Sequence, residues 1–171
     1  KSYLLESTFS RNYSFITNSG ADLTFASALE GAGTRFLWYV SAAALRAGQV
    51  TGGQWDEGSV GDFSTAFGLD TVASGVSSFA VGAEAEARAD QTMALGNRVY
   101  VEPGATNSMG IGLGVAAGNP PQVFGTNSLG IFMGDQTDVD FISSSTMGLF
   151  GGRLIIDPAA PATELGVSGV L

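Results

Sequence analysis

The chain contains no cysteine and no histidine, and only seven of its 171 residues are lysine or arginine. Without cysteine there are no disulfides and no thiolate metal sites. Without histidine or cysteine the commonest general base and the thiol nucleophile are both missing, so catalysis finds little support. Charged residues make up 13%, and acids outnumber bases to give a net charge of −9. That balance disfavours nucleic acid as a partner, because phosphates need clustered Lys and Arg and the few present are scattered. No stretch is long and apolar enough to span a membrane, and no window has the period of a long amphipathic helix. What is abundant is glycine (25 residues) in a chain that is 44% hydrophobic. This is the composition of a turn-rich β protein, and the eleven Phe with strict periodicity argue against a flexible Gly/Ser linker.

Between Asp62 and Gly96 the chain repeats every seven residues, five times without a gap. The units are 62–68 (DFSTAFG), 69–75 (LDTVASG), 76–82 (VSSFAVG), 83–89 (AEAEARA) and 90–96 (DQTMALG). The fifth position is always alanine (Ala66, Ala73, Ala80, Ala87, Ala94), and the seventh is Gly except at Ala89. So short and constant a period marks a stacked repeat architecture. Within a unit the residues alternate as in a strand, so positions four and six share one face and position five lies on the other. The position-five face is small throughout. The opposite face is apolar in Thr65/Phe67, Phe79/Val81 and Met93/Leu95, and polar in Val72/Ser74 and Glu86/Arg88. The true repeat is therefore fourteen residues, one apolar strand and one polar strand. Small faces must meet back to back, since Ser, Ala and Gly cannot fill the ~10 Å between ordinary packed sheets. The result is a flattened coil whose large apolar side chains stand outside one wall, a stripe that a monomer would leave in water.

Three later segments continue the pattern: 107–114 (NSMGIGLG), 127–134 (NSLGIFMG) and 145–152 (STMGLFGG), with Gly replacing the interior Ala. The apolar wall then comprises Phe67, Phe79, Val81, Met93, Leu95, Met109, Ile111, Leu129, Ile131, Met147 and Leu149, and we expect it to be an interface between copies of the chain. The matching Ser/Thr positions 64, 78, 92, 108, 128 and 146 grow further apart, which predicts longer outward excursions at 97–106 and 115–126. Loops of that kind often carry recognition.

Residues 1–60 lack the repeat and are expected to form a small β cap or shoulder. There 34–40 (TRFLWYV) reads as a buried or interface strand, Asn18, Ser19 and Gly20 as a turn, and 46–53 as strand and turn leading to Trp55. Residues 41–47 (SAAALRA) are expected to form no more than a short turn. Residues 61–152 are the repeat column. Residues 153–171 contain a short apolar strand at 154–156, broken by Pro158 and Pro161, and read as a connector to a further domain or as a final strand. Phe36, Trp38, Tyr39 and Trp55 are candidates either for a carbohydrate platform or for interface and cap packing.

The units STAFG, SFAVG and TMALG, separated by TVASG and AEARA, resemble the head repeats of trimeric autotransporter adhesins, the YadA-like heads. The resemblance is strong over 62–96, partial to Gly152 and absent from residues 1–60. Ala89 departs from the expected Gly, which questions one turn and leaves the register alone. The resemblance implies an all-β, left-handed parallel β-roll (a solenoid), three copies packing side by side or intertwined around a common axis as a homotrimer. It also implies an extracellular location at a cell surface, and attachment to a host-surface glycan or protein. Similar repeats occur in phage tail fibres, which keeps a receptor-binding fibre of a virion or injection machine, or a purely structural filament subunit, as alternatives. No coiled-coil stalk and no membrane-anchor strands are legible in this stretch, and insertion of this segment into a membrane is not expected.

The remaining chemistry is bland. The left-handed β-helix acyltransferases resemble a hexapeptide rather than a heptad repeat, and rely on a His that is missing here. The acid pairs Asp56/Glu57 and Asp138/Asp140 read as solvated turns, and Asp135, Asp138 and Asp140 lack the central Gly and terminal Glu of a calcium loop. Glu86 and Arg88 should make an exposed ion pair of small value. The glycines 110, 112 and 114 belong to the repeat, since no strand-to-helix turn surrounds them. We therefore expect a non-enzymatic segment of a surface fibre, an adhesin head or spacer presenting loops, with no catalytic residue, no cofactor and no metal.

Overall fold

The computed structural model describes residues 23–24, 30–113, 119–134, 136 and 138–152. The fold is all-β, a β-solenoid of about 6 turns. The strands are β1 (Leu23–Thr24), β2 (Gly33–Tyr39), β3 (Ala44–Val50), β4 (Thr65–Leu69), β5 (Val72–Ala73), β6 (Phe79–Ala83) and β7 (Glu86–Ala87). They continue as β8 (Met93–Asn97), β9 (Tyr100–Val101), β10 (Met109–Leu113), β11 (Gln122–Val123), β12 (Leu129–Met133), β13 (Asp140–Phe141) and β14 (Met147–Phe150). They make two sheets: a wide one ordered β1-β2-β3-β4-β6-β8-β10-β12-β14 and a narrow one ordered β13-β11-β9-β7-β5. Each turn of the coil gives one strand to each sheet, so the fourteen-residue unit read from the sequence is the structural rung. From β3 onward all pairing is parallel and in register, with Ala66, Ala80, Ala94, Gly110, Gly130 and Gly148 in one column. Gly thus does replace the interior alanine.

The interior column is closed to solvent: Ala66, Ala73, Ala80, Ala87 and Ala94 are fully buried. Beyond Gly96 the interior is not made only of small residues. Val99, Val101, Val123, Phe132 and Phe141 enter the core, with Phe150 packed against it. Phe132 and Phe150 stack at 5.0 Å, and Phe141 meets Phe150 edge-on at 5.5 Å. The glycines in the column make that room: a Cβ on Gly110 would stand 2.8 Å from Val99 Cγ2, and one on Gly130 would stand 2.8 Å from Phe132 Cε2.

The first of the expected outward excursions differs from the reading of the sequence: residues 97–106 contain β9 and return to the narrow sheet instead of forming a free loop. The second joins that sheet at β11, and its residues 115–118 lie outside the described residues. The two residues added in the first excursion fall between Val101 and Ser108. They lie in the turn that follows Ala89 on the next rung, which explains how Ala89 fits where Gly75 does not tolerate a Cβ. Ala89 is itself buried and the register passes it unchanged.

The N-terminal hairpin joins the wide sheet directly. β2 and β3 are antiparallel, and β3 pairs parallel with β4. Residues 34–39 lie in a strand as expected and the chain turns at Val40–Ala43, with Ala43 N–H donating to Val40 O and its φ at 48°, but residues 44–47 of the expected short turn belong to β3. The turn at Asn18–Gly20, the strand at 154–156 and Asp135 lie outside the described residues.

Candidate self-association face

The wide sheet has two faces of opposite character, set by the alternation of its strands. Inward residues of the alanine column are buried from Ala66 to Gly130. Outward residues form two straight ladders, because parallel in-register strands stack equivalent positions about 4.8 Å apart. One ladder runs Thr65, Phe79, Met93, Met109, Leu129, Met147, and the other Phe67, Val81, Leu95, Ile111, Ile131, Leu149. All eleven apolar residues singled out by the sequence lie on these ladders, and none is fully buried. Met93 is 43% and Met147 61% exposed in the single chain. Beside the first ladder runs an open groove of about 410 Å³, bordered by Gln91, Asn107, Asn127 and Ser145. Neither ladder contains a charged residue.

The narrow sheet carries the charge. Arg88 pairs with Glu86, donates from Nη1 to both oxygens of Glu102 (3.0 and 3.1 Å), and lies 4.9 Å from the centre of the Tyr100 ring. Glu86 and Glu102 side chains are only 14% and 13% exposed, so the pair expected to be exposed is a half-buried network. Burial pushes the Glu86 carboxyl above its usual range against the pull of Arg88, and it also raises the Tyr100 phenol. Burial alone would lower Arg88, but Glu86 and Glu102 outweigh it and hold the guanidinium above its ordinary value. A second pair, Arg98 with Glu84 at 2.9 Å, joins adjacent rungs nearby.

At the N-terminal end the sequence reading missed the decisive residue. Arg46 occupies the alanine column, in register with Ala66, and is completely buried. It donates to Leu45 O (2.9 Å), Ser64 O (3.1 Å), Ser64 Oγ (2.7 Å) and, across on the narrow sheet, Ala73 O (2.9 Å). Burial pushes its pKa down to about 10, Tyr39 opposing weakly. Trp55, fully buried, donates its indole N–H to Thr71 O at 2.8 Å, and Tyr39 donates its hydroxyl to Trp55 O at 2.5 Å. Two of the four aromatics considered for a carbohydrate platform are therefore core. Phe36 (45%) and Trp38 (38%) remain exposed.

Neither acid pair faces a cleft as a pair, although Glu57 alone borders a small pocket with Tyr39 and Asp62. Asp56 Oδ1 accepts the Gly31 N–H at 2.6 Å, Glu57 opens a single 3₁₀ turn, and Asp138 accepts from Asn119 Nδ2 at 2.6 Å. Among the described residues no three His, Cys, Asp or Glu side chains gather as a metal site, and no helix is long and apolar enough to cross a membrane. No family model, curated protein or solved structure matches this chain.

Proposed function

We propose that the chain is a non-enzymatic segment of an extracellular fibre, a left-handed β-roll that assembles as a homotrimer through its wide sheet. The observation that carries this reading is the pair of uncharged ladders on the outer face of that sheet. Burying each large apolar side chain contributes about 1.5–3 kcal/mol when complete, and eleven incompletely buried ones in two straight files leave a single chain with something to gain by association. Large exposed apolar patches of this kind mark interaction sites. The number three and the hand of the coil rest on the resemblance to YadA-like head repeats. In such a trimer the N-terminal strands cap the column, and the charged narrow sheet faces outward as the surface offered to a host glycan or protein.

Sedimentation tests the assembly. The unaltered chain should run as a trimer at micromolar concentration, and Phe79→Asp with Met93→Asp should abolish the trimer. A folded monomer of the unaltered chain at that concentration overturns the reading.

A further inference from the structure

The ladders do not end where the repeat ends. β3 is in register with β4, so Leu45 continues the file of Thr65 and Ala47 that of Phe67. β2 runs the other way, yet its pairing sets Trp38 opposite Leu45 and Phe36 opposite Ala47. Directly opposed residues in an antiparallel pair share a face, so Trp38 and Phe36 stand on the same outer surface as Met93 and Leu95. The burial of β2 agrees: Arg35, Leu37 and Tyr39 are buried inward, whereas Phe36 and Trp38 are exposed. The uncharged face therefore spans eight strands, about 34 Å across seven gaps of 4.8 Å, and its bulkiest side chain, Trp38, sits with Phe36 at the non-repeat end.

We infer that the β2–β3 hairpin is part of the self-association surface, with Phe36 and Trp38 packing against a second copy of this chain. This rests on the assembly proposed above and deepens it. A second copy is the occupant the surface suits. Identical ladders at constant spacing match rung for rung, the face offers no charge for a polar ligand to pair with, and the hairpin continues the wall in register. A sugar platform has lost two of its four aromatics to the core, and the two left are collinear with aliphatic ladders instead of framing a cleft.

The chain has two tryptophans, and Trp55 is fully buried within the chain, so acrylamide quenching reports on Trp38. The Trp38→Phe variant supplies the Trp55 signal to subtract. In the full chain, shown by sedimentation to be assembled, Trp38 should be quenched roughly fivefold less than a free indole. Phe36→Asp with Trp38→Asp should still assemble through the remaining rungs but associate roughly tenfold more weakly or worse. An assembled chain whose Trp38 is quenched like free indole overturns this inference while leaving the assembly itself intact. So does protection of Trp38 that appears only on adding glycans, which would make the pair a sugar platform. A chain that stays monomeric overturns both readings.

Discussion

The ring of Phe132 occupies the space that a side chain on Gly130 would need, its Cε2 atom standing 2.8 Å from where that Cβ would lie. Phe132 pairs with Gly112, in the file that carries Gly68, Gly82 and Gly96 lower down. The β4, β6 and β8 rungs thus carry Ala then Gly, β10 carries Gly then Gly, and β12 and β14 carry Gly then Phe. Phe132→Ala should cost about 3–5 kcal/mol through the cavity it leaves, and Gly130→Ala about 1–3 kcal/mol through overpacking. The double variant Gly130→Ala with Phe132→Gly restores the early pattern and should cost at least 1 kcal/mol less than the sum of the singles, within the usual coupling range of about 0.5–3 kcal/mol. Denaturant unfolding of the four chains gives the coupling, and strict additivity sinks the idea.

Gly82 shows the other limit of the coil. Its φ is 131°, and a Cβ there would collide with the carbonyl oxygen of Gly96 on the next rung. That oxygen belongs to the parallel ladder and cannot retreat without breaking it. Gly82→Ala should cost about 3 kcal/mol or more, the range of strain at a special backbone position plus a core clash. Gly104→Ala, with nothing within 4 Å of the added methyl, should change the melting temperature hardly at all. Equal effects at the two positions would contradict the stacked geometry.

What the sequence revealed and what it hid divide along physical lines. The alanine column, the apolar ladders and the register across Gly110, Gly130 and Gly148 were legible because stacking imposes the same demand at every rung, and a periodic demand leaves a periodic trace. Arg46 was not legible. It fills an alanine site from a hairpin outside the repeat, and only the pairing of β3 with β4 reveals the column it joins. Phe132 and Phe150 were hidden because the repeat lets volume move between neighbouring positions. The Glu86–Arg88 pair looked exposed because Glu102 and Tyr100, which cover it, come from the next turn of the coil.

A left-handed turn residue on every rung leaves little trace in residue type beyond Asn107 and Asn127. Phe63, Ser77, Gln91, Asn107, Asn127 and Ser145 all have φ between 53° and 57°. Their N–H groups donate backward to Ala42, Asp62, Val76, Asp90, Thr106 and Thr126. The hydrogen bond to the preceding turn fixes the conformation, and the side chain bears a cost of roughly 1–2 kcal/mol for it. Gln91→Gly removes that cost and should be neutral or stabilising by up to about 1 kcal/mol, after the entropy glycine returns to the unfolded chain. Gln91→Val, β-branched at the same φ, should destabilise by about 1–2 kcal/mol. Thermal unfolding of the two variants should order them on opposite sides of Gln91, and a more stable valine variant would show that the turn is not held left-handed.

Glu86 makes stability depend on pH in the direction opposite to most carboxylates. Its folded pKa is raised above the ordinary 4.5, chiefly by burial, so the folded chain holds that proton more tightly than the unfolded one. Linkage then makes its contribution fully present below pH 4.5 and lost as pH rises through the raised folded value. Arg88 stays charged throughout, since its own pKa is raised. Glu86→Gln removes the titration while leaving Arg88 its bonds to Glu102. Across a series of melts from roughly pH 4 to 8, the variant should gain on the unaltered chain as pH rises through the window above 4.5, then run parallel to it. A variant that instead loses ground over that window would mean that the attraction of Arg88 exceeds the cost of burying the carboxylate.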